Sequence, residues 1–159
     1  AEKAIAKSEM VDSQVVAKSV ALEYLKENYP QSSAVAIKPS DLEISLAKTG
    51  GPSGGLAFAI GIIELLTREN ILQGKSVAVT GTIDSAGKVG SIGGVAEKIL
   101  AAKKAGATLI LVPQANCQDL APNIATIPSG IKVAAVGSLE EAMAALNSED
   151  PRGCANLGA

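Results

Sequence analysis

Ser53 lies in the stretch Lys48-Thr-Gly-Gly-Pro-Ser-Gly-Gly-Leu56, where Gly51-x-Ser53-x-Gly55 has the form of a nucleophile elbow. Glycines on both sides strip side chains from around the hydroxyl, so a substrate backbone can approach it. The helix expected to follow aims its free N–H groups and the positive end of its dipole at the same place, which suits an oxyanion. The backbone around Gly50, Gly51 and Gly54 is the expected donor region. A serine nucleophile also needs a base, and this chain of 159 residues contains no histidine. A Ser–His–Asp triad is therefore excluded by composition. Ser53 has a second reading, as a helix cap in a glycine-rich turn. The motif alone leaves both open.

Lysine can replace histidine as the base if it is neutral. A free lysine titrates at about 10.4, so burial has to lower that value. On a helical wheel of residues 95–105, Val95, Ile99, Ala102 and Ala105 share one arc. Lys98 falls inside it, with Val95 at i−3 and Ala102 at i+4, while Glu97, Lys103 and Lys104 fall outside. Lys98 is thus the one lysine of this helix on its apolar face. The alternative is a lysine that snorkels at the edge of that face.

Other chemistry finds less support. Gly74-Lys75-Ser76 resembles the end of a phosphate-binding loop, but Glu69 occupies the position of the first glycine and a strand follows instead of a helix. Gly87, Gly90 and Gly93 do not form GxGxxG. SxxK occurs at Ser45–Lys48, Ser85–Lys88 and Ser129–Lys132, none of them on an expected helix. Net charge is −2, no basic block exists, and one Phe and two Tyr leave little to stack on bases, which argues against nucleic-acid binding. Without histidine no zinc cluster is expected. Cys117 and Cys154 are too far apart for CxxC. They are either two free thiols or one disulfide tying the C-terminal tail to the body, and the second option belongs outside the cytoplasm.

The elements that must position these residues fit a single α+β domain. Hydrophobic residues make up 47% and charged residues 19%, a globular composition. The mean hydropathy is +0.28. The pattern predicts a helix over Ser13–Asn28 capped by Asp12 or Ser13, and an alternating strand over Asp41–Lys48. A buried helix over Gly54–Glu69 and a strand over Ser76–Ile83 follow. After a turn at 84–87 come a short strand over Lys88–Ile92 and the helix Val95–Ala105, stopped by Gly106. Strands over Thr108–Val112 and Ile131–Val136 flank a segment, Gln114–Ser129, that reads mostly as loop, with Leu120–Gly130 given no function. The last helix is Ser138–Leu146, where Ser138 and Glu141 form a capping box. Residues 10–146 form the core of one domain covering 1–159, and 147–159 form a tail without periodicity. The longest apolar run, Leu56–Leu66, is interrupted by Glu64 and is too short for a bilayer, which needs roughly 20 residues. The start at Ala1 shows no signal peptide, as expected for a cytoplasmic protein or an excised piece.

Gly-Gly-Pro-Ser-Gly-Gly at 50–55 and the long stretch Thr80–Ala107 (TGTIDSAGKVGSIGGVAEKILAAKKAGA) together resemble the proteolytic domain of the Lon proteases, a serine–lysine dyad family. The pattern T-G-x(7)-V-x-x-I-G-G-x-x-E-K is matched at Thr80-Gly81, Val89, Ile92-Gly93-Gly94 and Glu97-Lys98, and the likeness runs from about Met10 to Leu146. It implies a small Lon-like fold of mixed sheets packed with helices. It also implies Ser53 as nucleophile, Lys98 as general base and Thr80 as the hydroxyl that orients the lysine. Gly50 stands where the family pattern has Asp, and Gly54 where it has Ala. With no ATPase module ahead of it and the family's first strands missing, the chain looks more like the ATP-independent bacterial branch. There, a membrane anchor and a PDZ domain precede a Lon-like domain outside the cytoplasm. The resemblance thus implies a serine endopeptidase of protein or peptide substrates that needs no cofactor and no metal. It further implies a hexameric homo-oligomer, with membrane contact only through a segment absent from this chain. The other readings are a silent Lon-like assembly or substrate-binding module, and an amidase or esterase of small substrates.

Overall fold

The computed structural model describes residues 2–43 and 52–154, apart from the side chains of 2–11, 52, 123, 124 and 126. Helix α1 spans Glu2–Asn28 and helix α2 Gly55–Leu66. Strand β1 is Val77–Val79, β2 Thr82–Ile83 and β3 Val89–Gly90. Then come α3 (Val95–Lys104), β4 (Leu109–Pro113), α4 (Cys117–Leu120), β5 (Lys132–Val136) and α5 (Leu139–Leu146). Among the described residues the strands form a parallel sheet in the order β1-β4-β5 and an antiparallel pair β2-β3.

The middle strand explains the layering. All five residues of β4 are buried, as expected of an apolar run covered on both faces. Leu109 and Leu111 join a core with Leu25 of α1, Leu56 and Ile63 of α2, and Leu139 and Leu146 of α5. Ile110 and Val112 face the other way and join Val95 and Ile99 of α3, Leu120 of α4 and Ile131. The sheet is therefore sandwiched by α1, α2 and α5 on one side and α3 with α4 on the other.

Several boundaries differ from those expected. Helix α1 begins at Glu2, because the Ala-, Glu- and Lys-rich segment before residue 12 favours helix. Asp12 is exposed and Ser13 buried within it, so neither caps it. Asp41 does not begin a strand; Pro39–Asp41 make a short 3-10 turn in which Lys38 N donates to Asp41 Oδ2 at 2.9 Å. The rest of that expected strand, 44–48, lies outside the described residues, as do Gly50 and Gly51. Ser76–Ile83 is two strands broken at Thr80-Gly81. The segment 114–126 is coiled into short helical turns instead of loop. Ser138 caps α5 by accepting from Glu141 N at 3.1 Å, while the Glu141 carboxylate accepts from Gly137 N at 2.7 Å, one residue before the cap.

Tyr29 closes α1 onto the chain after α2 by donating to Glu69 Oε2 at 3.0 Å. Burial, with the neighbouring Glu69 carboxylate, holds its phenol above the usual value near 10. The tail also has a place. Ala135 N of β5 donates to Arg152 O at 2.9 Å, and Cys154 is joined to Cys117 in a disulfide. Among the described residues no helix is long and apolar enough to cross a membrane.

Candidate active site

Three elements bring Ser53, Thr80 and Lys98 together. Ser53 sits in the 3-10 turn Pro52–Gly54 ahead of α2. Gly54 holds the N-cap position of α2, with no side-chain cap bond, so Ser53 is not the cap of that helix. The Ser53 carbonyl accepts from Gly81 N at 2.9 Å, and Leu56 N donates to Gly81 O at 3.1 Å. These two bonds fasten the turn to the break between β1 and β2. Gly81 makes the break possible, with φ +144, where an added Cβ would lie 2.8 Å from Val89. Thr80, the residue before it, is held by its own N–H, which donates to Leu111 O of β4 at 3.0 Å.

Lys98 reaches this junction from the first full turn of α3. The helix buries Val95, Ile99 and Ala102 as the wheel predicts, although Ala105, at its C-cap, is exposed. Glu97, Lys103 and Lys104 point outward. Lys98 is half-buried, and its Nζ does not turn out to water. It donates to Ser53 Oγ at 3.0 Å and to Thr80 Oγ1 at 3.3 Å. Thr80 is 4% exposed, so its hydroxyl is fixed in place. The ion pair found among the described residues is Lys132 with Asp150, away from this site.

The triangle opens into a cleft of about 530 Å³. Beyond the three polar side chains its walls are apolar: Ala57 and Phe58 of α2, Ala78 of β1, Ala101 of α3 and Ile110 of β4. Sequence reasoning singled out none of these wall residues, because small apolar residues on helices and strands look like ordinary core. Gly54 lines the cleft, as an exposed approach requires. Gly55 does not serve substrate access. It is buried, and a Cβ there would lie 2.9 Å from Ser13 Oγ and 3.1 Å from Ile83.

Residues 7–148 match the family model of the Lon protease (S16) C-terminal proteolytic domain. This chain belongs to that family. The Lon protease of Trichlorobacter lovleyi is 39% identical over 93 residues, 58% of this chain and 11% of that protein. Lon protease 2 of Bacillus subtilis is 37% identical over 114 residues, 69% of this chain and 20% of that protein. The mitochondrial Lon protease homolog of Rattus norvegicus is 31% identical over 126 residues, 78% of this chain and 13% of that protein. The chain thus spans a fifth or less of the length of these relatives. In this Lon proteolytic domain, Ser53 and Thr80 stand within hydrogen-bond reach of the Lys98 amine, Gly54 adjoins them, and Cys117 and Cys154 lie elsewhere, in the α4–tail disulfide.

Proposed function

We propose that this domain is a serine endopeptidase that hydrolyses peptide bonds with a Ser53–Lys98 dyad. The observation that carries the proposal is the 3.0 Å separation of Lys98 Nζ from Ser53 Oγ at the mouth of an apolar cleft. Neutral Lys98 takes the Ser53 proton as Oγ bonds to the scissile carbonyl carbon. The negative charge that develops on the carbonyl oxygen meets backbone N–H groups of the Ser53-Gly54 turn at the start of α2. The Lys98 ammonium then gives its proton to the leaving amine, the C–N bond breaks, and an ester on Ser53 remains. Water attacks that ester, Lys98 accepts its proton, and the proton returns to Ser53 Oγ as the acid leaves. Thr80 Oγ1 accepts one N–H of the amine and so holds Nζ beside Ser53 Oγ. These steps use this domain's own groups and consume no nucleotide, so cleavage should proceed equally with and without ATP. The apolar cleft walls favour an apolar substrate side chain beside the scissile bond.

The test is intact mass after treatment with p-nitrophenyl acetate, an activated ester that acylates reactive serines. One adduct is expected on the parent chain and none on Ser53→Ala or Lys98→Ala, with both variants folded. Full labelling of Lys98→Ala would sink the dyad. An unlabelled parent chain would favour a silent binding module.

We also infer an extracytoplasmic location, as in the membrane-anchored, ATP-independent branch of the family. The Cys117–Cys154 disulfide supports it, since such bonds persist in oxidising compartments. The family resemblance supports a hexameric ring, and the mass of the native protein in solution tests that.

A further inference from the structure

We propose that Asn116 is a positioning residue for Lys98, through a fork of hydrogen bonds to the loop that launches α3. The proposal rests on the Ser53–Lys98 reading above. Asn116 is 1% exposed, the most deeply buried polar side chain among the described residues. Its amide acts as a substitute strand. Asn116 Oδ1 accepts from Ile92 N at 2.9 Å, and Asn116 Nδ2 donates to Ile92 O at 2.9 Å. The same Nδ2 donates to Asp119 Oδ2 at 2.7 Å, which sets the orientation of the amide.

The loop so held needs an external support. Residues 90–94 read Gly-Ser-Ile-Gly-Gly, and α3 starts from Gly94, at φ 68 and ψ 37, with no side-chain cap. Lys98 lies in the first turn of that helix, where Lys98 N donates to Gly94 O at 3.1 Å. The direction in which α3 leaves the loop therefore sets where Nζ arrives. Asn116 ends the 3-10 turn Gln114–Asn116 that follows β4, the strand whose Leu111 carbonyl fixes Thr80. One strand thus references both the amine and its buried partner, Thr80 through its backbone and Lys98 through the Asn116 fork. With the fork removed, Ile92 loses both partners, and α3 can swing by the fraction of an ångström that separates a 3.0 Å contact from none. A misplacement of about 1 Å can cost a reaction on the order of 100-fold.

The test compares the rate of Ser53 acylation by p-nitrophenyl acetate in the parent chain, Asn116→Ala, Asp119→Ala and Lys98→Ala. The limiting rate in Asn116→Ala should fall by about 10- to 100-fold, with little change in the half-saturating ester concentration. Asp119→Ala, at an exposed position, should fall a few-fold, since the amide then keeps only its two bonds to Ile92 and loses the one that braces it from α4. Met143→Ala, a core truncation on the far face of the sheet, controls for stability and should keep its rate at a similar loss of Tm. A parental rate in Asn116→Ala beside an inert Lys98→Ala overturns the role of Asn116 and leaves the dyad standing. If Asn116→Ala does not fold, Asp119→Ala decides, and a parental rate there overturns the proposal. Equal slowing in Met143→Ala reduces the effect to stability and also overturns it. Parental labelling of Lys98→Ala, or an unlabelled parent chain, removes the reading of function and this proposal together.

Discussion

Thr80 and Ser53 present two hydroxyls to one amine, and the roles of the hydroxyls differ by burial. Ser53 borders the open cleft, where a carbonyl carbon can reach its oxygen. Thr80 is closed off beneath it, at 4% exposure, and can only orient. Thr80→Val keeps the shape of the side chain and removes the contact at 3.3 Å. One neutral hydrogen bond is worth about 1 kcal/mol, so kcat should fall by about 5- to 10-fold with KM nearly unchanged. Steady-state kinetics on a peptide substrate read this directly. An unchanged kcat would show that Lys98 is held well enough by its own helix.

The start of α2 has to satisfy two demands at adjacent residues. Gly54 leaves room on the cleft side, while Gly55 lets α1 and β2 close in from behind. In Gly55→Ala the new methyl group would meet Ser13 Oγ at 2.9 Å and the backbone nitrogen of Ile83 at 3.1 Å, and backbone cannot yield as a flexible side chain can. Overpacking of this kind costs roughly 1–3 kcal/mol, to be seen as a lower urea midpoint at constant m-value. Because α2 carries the Ser53 turn, acylation should slow as well. A variant with parental stability would mean that α1 can retreat, and that the close approach is not needed to hold the turn.

Across the molecule, the edge of the sheet at β5 is guarded by the tail. Lys75 Nζ donates to Ser148 O at 3.3 Å and Lys132 Nζ to Glu149 O at 2.9 Å, and Ala135 N to Arg152 O closes the edge. Open grooves of about 350 and 490 Å³ flank this strap. The Cys117–Cys154 bond closes a loop of sequence separation 37. For a loop of that size the chain-entropy estimate is roughly 3–4 kcal/mol. Cys154→Ser, or full reduction, should lower the unfolding free energy by about that amount and expose an edge prone to pairing with other chains. Denaturant unfolding with and without reductant reads the first effect and light scattering the second. Unchanged unfolding on reduction would show that the lysine contacts suffice to hold the strap.

Residue types and local periodicity determined a good deal of this by themselves. The absence of histidine removed the common serine base. The wheel of α3 put Lys98 on a buried face because a helix repeats every 3.6 residues whatever surrounds it. The apolar run at 108–112 announced a strand covered on both sides for a similarly local reason. What required the tertiary structure depends on groups distant in the chain. Ser53 and Lys98 are 45 residues apart, and their hydrogen bond exists only because β1, α2 and α3 converge. The break at Thr80-Gly81 is held by two hydrogen bonds of Gly81, to Ser53 O and from Leu56 N, which strand propensity cannot register. Asn116 reads in sequence as an ordinary turn former. Its partner is Ile92, 24 residues away, and only the folded chain completes the fork. The choice between two free thiols and one disulfide was likewise decided by packing that lays the tail beside α4, since residue spacing carries no information about that distance.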